Sequence, residues 1–251
     1  MLTELQYRWL RKHYPGDPGD FAECSTGESK LRLQLGDDLF AAIQGKTVVD
    51  FGCGEGSEAI EMARAGAAEV IGVDIREDVL QTATARARDA GLSARCKFQS
   101  ALPKSADVVV SLDAFEHFAN PPQILEIMNG LLADGGQVLI SFGPTWYHPL
   151  GGHLFSVFPW AHLLLSEKAL IQWRSDFKTD GATRFSEVAG GLNQMTIRRF
   201  EQMVKNSPFV IETLETVPIR RLRPIHNRLT REFTTAVVRC RLIKRGRSVA
   251  S

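Results

Sequence analysis

The sequence predicts an α/β protein: a doubly wound, Rossmann-like, mostly parallel sheet with an antiparallel C-terminal edge strand and an inserted helical, aromatic cap. Three observations carry that expectation. Short β-branched runs recur at TVVDF, EVIGVDI, CKFQS, DVVVSL and QVLISF, with stretches of helical period between them, the alternation that puts helices on both faces of a parallel sheet. Gly52, Gly54 and Gly56 alternate with other residues directly after the first run, as a bare strand-to-helix turn requires. Residues 143–200 then break the pattern and gather three of the four tryptophans with His148, His153 and His162.

Taken in chain order, MLTELQYRWLRKH mixes Glu4, Arg8, Arg11 and Lys12 with Leu2, Leu5 and Trp9, so it reads as an amphipathic helix and lacks the uncharged core of a signal peptide. HYPGDPGDFAECSTGES reads as a loop or lid segment before a helix near Leu31 to Ile43. After the first strand, Ser57 to Ala65 sets Ile60 and Ala63 on one side of a crossover helix. Asp78 to Ala90 does the same with Val79, Ala83, Ala87 and Ala90, ending at Gly91. A third helix is expected from an Asn120 cap and Pro121 through Ile124, Leu125, Met128 and Leu131, stopping at Gly135. PFVIETLETVP and EFTTAVVRCRLIK read as an antiparallel pair at the sheet edge, joined by the basic RRLRPIHNRLTR. The expected organisation is a helical lid over residues 1–45 and one domain over 46–251, with the cap inserted at about 143–200.

Composition narrows the function. Thirty Lys and Arg face 29 Asp and Glu, so no global field draws the chain to nucleic acid or anionic lipid. Cys24, Cys53, Cys96 and Cys240 form no C-x-x-C pair, which argues against a zinc knuckle or a disulfide framework and favours a cytoplasmic location. LFSVFPWAHLLL, Leu154 to Leu165, is too short to span a bilayer, and no transmembrane segment is expected.

The glycine turn points to a nucleoside ligand, because Asp74 ends the second strand about twenty residues on, where a carboxylate can accept both ribose hydroxyls. The spacing is G-x-G-x-G, with Ser57 where a dinucleotide fingerprint has its third glycine, and Asp50 lies inside the strand end. A pyrophosphate gains nothing from Asp50, whereas a ligand ammonium does. S-adenosyl-L-methionine is therefore the expected cofactor.

VVDFGCGEG, VIGVDI, DAFEHFANPPQIL and LLADGGQVLIS, in this order over about residues 46–142, resemble the successive motifs of class I S-adenosylmethionine-dependent methyltransferases. The run D-A-F-E-H-F-x-x-P is similar to the small-molecule branch that includes the ubiquinone and menaquinone biosynthesis methyltransferases. The resemblance implies that Asp50 and the backbone of Phe51, Gly52, Cys53 and Gly54 hold the methionine part, with Gly56 in the same turn. It implies that Asp74 holds the ribose, that Ile75 packs on adenine, and that Leu112 belongs to the cofactor site. Where many relatives have an acidic residue for the adenine amine, this chain has Ser100 followed by Ala101, so Ser100 and backbone groups take that place.

Methyl transfer from a sulfonium is an in-line displacement that needs no obligatory metal or covalent residue, and no metal ligand is assigned. For a hydroxyl acceptor a histidine base is useful, and His117, His148 and His153 are the candidates. Asp113, Glu116 and His117, at i, i+3 and i+4, are expected to converge on one side of a helical turn, a set that could also take a divalent ion. Trp160 and Leu163 to Leu165 are expected to pack.

The expected activity is methyl transfer to a small, fairly hydrophobic acceptor, with oxygen favoured as the receiving atom. Two rivals remain: a nucleic-acid or protein methyltransferase, supported only by the arginines from Arg220 to Arg231, and a cofactor-binding regulatory protein without catalysis. The partner is expected to be a small molecule and not nucleic acid; the sequence leaves the oligomeric state open.

Overall fold

The computed structural model describes residues 1–17, 29–188 and 190–246. The chain opens with α1 (Leu2–His13), α2 (Lys30–Leu35) and α3 (Asp38–Ala42). It then alternates through β1 (Thr47–Phe51), α4 (Ser57–Arg64), β2 (Glu69–Val73), α5 (Glu77–Asp89), β3 (Cys96–Gln99), β4 (Ala106–Leu112), α6 (Pro121–Leu131) and β5 (Leu132–Phe142). The cap carries α7 (Ala161–Leu164) and α8 (Glu167–Arg174); α9 (Ile197–Lys205), β6 (Phe209–Pro218), α10 (Arg231–Thr234) and β7 (Thr235–Lys244) complete the fold.

The seven strands run in the order β3-β2-β1-β4-β5-β7-β6. The first five pair in parallel, and β7 lies antiparallel to both β5 and β6. The predicted antiparallel pair is present; within it β6 is the outer strand and β7 the inner one. The central strands are buried on both faces, as the near-continuous apolar runs of β1 and β4 dictate. One core layer joins Val49, Val109, Phe115, Leu125, Phe142 and Phe200, and the opposite layer joins Leu31, Val48, Met62, Val70, Ala87 and Leu139.

Two boundaries differ from the sequence expectation. The helix expected over Leu31 to Ile43 is two short helices, because Gly36 turns to φ +77° between them. The helix expected to run to Gly135 ends at Leu131, and residue 132 already pairs with Ala106. β5 advances from Leu132 to Gln137 while β4 advances from Ala106 to Val108, so Gly135, at φ +75°, sits in an irregularity inside a strand. The glycine serves a bulge where a helix stop was read.

The cap has its own core of Phe155, Leu170, Trp173, Phe185 and Leu192, which also takes in Leu10 of α1. Trp173 donates its indole N–H to the Tyr14 carbonyl at 2.8 Å, and the Tyr7 hydroxyl donates to Asp176 at 3.0 Å. α1 thus belongs with the cap, whereas α2 leans on the sheet: the Ser141 hydroxyl donates to Oε1 of Gln34 at 2.8 Å. α9 buries Ile197, Phe200 and Val204 in the sheet core. Leu164, expected to pack, is 68% exposed. No helix among the described residues is long and apolar enough to cross a membrane. Cys53, Cys96 and Cys240 are buried free thiols; Cys24, and most of the loop expected before α2, lie outside the described residues.

Candidate functional site

The carboxyl ends of β1, β2 and β4 meet at a polar cavity of about 420 Å³ whose lining includes Lys30, Asp50, Gly52, Cys53, Gly54 and Asp113. This is the crevice at which doubly wound sheets bind ligands. The glycines make the turn: Gly52, Gly54 and Gly56 have φ of +86°, +50° and +78°. Their functions separate. A Cβ on Gly56 would stand 2.6 Å from the Phe98 ring and 2.8 Å from Ala83, so this glycine lets α4 pack closely and does not line the cavity. Phe51 likewise turns its side chain into the core, edge-on to Phe118.

The amides of the turn are already engaged. Gly52 and Cys53 donate to the Val73 carbonyl at 2.8 and 3.1 Å, and Gly54 donates to Asp74 at 3.0 Å. These three amides therefore face acceptors of the protein itself. Asp50 is 2% exposed and its Oδ2 has no partner; burial first, and the neighbouring Glu58 carboxylate second, push its pKa up to about 8, against the pull of Lys30. Glu55 is paired with Arg86 at 2.5 Å. That leaves Asp50, Glu58 and Asp113 around the Lys30 ammonium, which stands 3.6 Å from Glu58 and 3.2 Å from Asp113. The cavity is anionic.

Asp74 lies at the end of β2 and outside that lining. It accepts from the backbone N–H of Arg76 at 3.0 Å and from the Arg76 guanidinium at 3.2 and 3.3 Å. Burial raises its pKa, but those bonds and the Gly54 amide outweigh it and hold the carboxyl below its usual value. Leu112 lines the glycine cavity. Ser100 and Ala101 line a separate groove of about 490 Å³ between α5 and the end of β3, and Ile75 is 95% exposed beside neither lining. The three residues expected at adenine are thus not drawn into the cavity that holds the glycine turn.

The run after β4 is a turn, not a helix, and its side chains part. Asp113, at φ +47°, faces Lys30 and Gln34 on the side of the glycine cavity. His117 faces the other way, into a larger, mainly apolar cavity of about 740 Å³ with Leu150, His153, Leu154, Phe155 and Leu192, whose lining also takes in Arg174, Lys178 and Asp180. The expected convergence of Asp113, Glu116 and His117 does not occur; the third group beside Glu116 and His117 is His153 from the cap. His117 shares a 2.7 Å hydrogen bond between Nδ1 and the Gly191 carbonyl. His153 packs edge to face on it. Its φ is +52°, and burial, then the positive charge of a protonated His117, push its pKa down to about 4.

Glu116, expected only as one of a set with Asp113 and His117, stands instead with His117 and His153. It is 3% exposed, accepts the Gly143 amide at 3.0 Å through Oε1, and leaves Oε2 without a partner; burial and the Asp113 carboxylate push its pKa up to about 8. Its position in DAFEH beside His117 was the available signal. His148, by contrast, is not drawn into the acceptor-side lining: its Nδ1 accepts the Leu150 amide at 2.9 Å, and burial first, with the charge of a protonated His162 second, lowers its pKa to about 4. His162 is buried between Ser156 and the Trp146 carbonyl, in the cap's interior.

Sheet order, glycine turn and crevice together define a Rossmann-like domain. Residues 43–145 match the family model described as a methyltransferase domain. The chain is 31% identical over 146 residues to a ubiquinone biosynthesis O-methyltransferase of Methylococcus capsulatus and 35% identical over 153 residues to one of Neisseria meningitidis serogroup C. Those alignments take in 56% and 52% of this chain and 61% and 64% of the two relatives, so the chain spans less than two thirds of their length. An S-adenosylmethionine-dependent methyltransferase from Mesorhizobium loti superposes with a TM-score of 0.52 at 18% identity, over 81% of this chain and 93% of that one. The cyclase SpnF superposes with a TM-score of 0.55 at 16% identity, over 82% and 79%. These last two likenesses concern the fold.

Proposed function

We propose that the protein is an S-adenosylmethionine-dependent methyltransferase that acts on a small, fairly hydrophobic acceptor, with oxygen as the receiving atom. The observation that carries the cofactor is the glycine cavity, in which the Gly52, Cys53 and Gly54 amides are engaged, Glu58 and Asp113 stand at the wall and the buried Asp50 oxygen is unpartnered. A dinucleotide pyrophosphate needs free N–H donors and positive charge there; a ligand bearing an ammonium and a sulfonium is attracted by Asp50, Glu58 and Asp113. Asp74 would then exchange Arg76 for the ribose hydroxyls. The bound cofactor supplies an electrophilic methyl group.

The residues of the chain do the rest. Asp50 orients the amino-acid end, and the turn from Asp113 to His117 separates the cofactor cavity from the apolar one. Leu150, Leu154, Phe155 and Leu192 form the apolar wall of an acceptor site whose rim also carries Arg174, Lys178 and Asp180. His153, neutral near pH 7, and His117 stand where an acceptor hydroxyl would lose its proton. Residues 143–200 act as the acceptor cap and residues 1–45 as a lid, both in a cytoplasmic enzyme. The relatives named for ubiquinone biosynthesis make a phenolic acceptor the first class to test.

Calorimetry with S-adenosylmethionine, its demethylated product and NAD tests the cofactor: saturable binding of the first two and none of the third is expected, and the reverse refutes it. Turnover of a panel of hydrophobic phenols, followed as methylated product, tests the acceptor. A regulatory protein without catalysis would bind cofactor and methylate none of them. Methylation of nucleic acid is the other rival. Arg220, Arg221, Arg223 and Arg228 between β6 and β7 are its support, and transfer to RNA or DNA in preference to phenols would establish it.

A further inference from the structure

We propose that Glu116, His117 and His153 form a binding site for one divalent transition-metal ion, of the zinc type, with an open position toward the apolar cavity. One ligating atom from each residue lies within 4.8 Å of the other two. Two of the three side chains hold buried lone-pair atoms with no protein partner: Oε2 of Glu116 and Nε2 of His153. An unpaired buried acceptor costs free energy that a cation recovers.

The surroundings fit a metal in three further respects. The 2.7 Å contact of His117 Nδ1 with the Gly191 carbonyl fixes the proton on Nδ1 and leaves the lone pair on Nε2, the outer hydrogen bond that metal-bound histidines make. The Gly143 amide holds the other oxygen of Glu116 at 3.0 Å and so orients its carboxylate. His153 is held in the left-handed region at φ +52°, an uncommon conformation for a residue with a side chain, directly after the Gly151–Gly152 pair. The ligand set is two imidazoles and one carboxylate, the donor chemistry of open zinc and iron sites, not of magnesium. Tetrahedral bonds of about 2.0–2.2 Å place ligand atoms about 3.4 Å apart, within the 4.8 Å that bounds this set.

Two shifts accord with this. Glu116 is held neutral and His153 unprotonated by the same burial; a cation at their meeting point restores the carboxylate and uses the neutral imidazole. His117 and His153 line the apolar cavity, so the open position faces the acceptor. If the methyl-transfer reading holds, an acceptor hydroxyl bound there loses its proton more readily, which generates the nucleophile without a separate base. That role rests on the proposed function; the binding of the ion does not.

The full chain, stripped with chelator and dialysed, is titrated with Zn²⁺ by calorimetry and with Co²⁺ by visible absorption. One ion per chain, with the intense d–d bands of a four- or five-coordinate site, is expected. His153→Ala and the isosteric Glu116→Gln should each weaken Zn²⁺ binding at least tenfold. No saturable binding, or an affinity unchanged in both variants, overturns the site; if Glu116→Gln does not fold, His153→Ala alone decides. The demethylated cofactor is titrated into the same chelated protein. Its failure to bind would refute the methyltransferase reading while leaving the metal result standing.

Discussion

The rings of His117 and His153 meet edge to face, with centroids 5.2 Å apart and planes at 77°, and so join the turn after β4 to the cap. One residue stands four positions beyond the cofactor-side Asp113; the other comes from a segment with no contact to the glycine turn. Replacing either with alanine is expected to lower turnover on the true acceptor by about 10² to 10³, the usual share of assisted proton removal from a hydroxyl. Cofactor affinity should stay within twofold. His148→Ala should cost less than tenfold, because that ring serves its own loop through the Leu150 amide. Steady-state kinetics with calorimetry on each variant checks this; equal losses for His148 and His153 would contradict the geometry.

Cofactor affinity should rise with pH. Asp50 has a pKa of about 8 in the ligand-free protein, and a bound cation requires its carboxylate, so binding releases a proton at neutral pH. Affinity is expected to climb by up to about tenfold per unit from pH 6 and to level above pH 8. The folded state holds this proton where the unfolded chain has lost it, so Asp50 also makes the ligand-free protein less stable as pH rises from about 4 to 8. Asp50→Asn should flatten both profiles. Calorimetry in buffers of different ionisation enthalpy measures the released proton directly.

Asp74 and Arg76 should behave oppositely. If Asp74 holds the ribose as proposed, Asp74→Ala is expected to weaken cofactor binding by about 1 to 3 kcal/mol. Arg76→Ala frees the carboxylate that the guanidinium holds at 3.2 and 3.3 Å, and should leave binding unchanged or tighter. A large loss in Arg76→Ala would mean that the arginine itself touches the ligand.

Gly56→Ala is expected to fail through packing. The added methyl would stand 2.6 Å from Phe98 on a backbone at φ +78°, so a loss of about 2 to 4 kcal/mol is anticipated, strain and overpacking together. Urea denaturation checks it. A fully stable variant with weak cofactor binding would return Gly56 to the ligand site.

Much of this arrangement was readable because period and punctuation agree locally. The strand runs, the Asn120 cap with Pro121 at the helix start, and the Asp50 and glycine turn need only neighbours in sequence to declare themselves. The stop at Gly135 was misread because a left-handed glycine suits a strand bulge as well as a helix end, and only pairing with β4 decides between them. The acceptor end was harder. Spacing of i, i+3 and i+4 suggested that Asp113, Glu116 and His117 converge, but Lys30 and Gln34 from a distant helix pull Asp113 away, and His153 takes its place from 36 residues beyond His117. No local pattern encodes such a substitution. Spacing marks Glu116 in the sequence, but its burial and its unpartnered oxygen are properties of the fold.

The position of β7 governs the order in which the molecule can be completed. Residues 235–244 slide between β5 and β6, so until they have left the ribosome β5 presents an unpaired apolar edge, and β6 has nothing to join. The glycine turn, formed by residues 47–76, can assemble during synthesis, whereas the departure of the cap waits: Gly143, at the end of β5, lies so close to Ala236 that an added Cβ would stand 2.4 Å from its carbonyl. A nascent or truncated chain lacking β7 would therefore expose a strand edge prone to association with its neighbours.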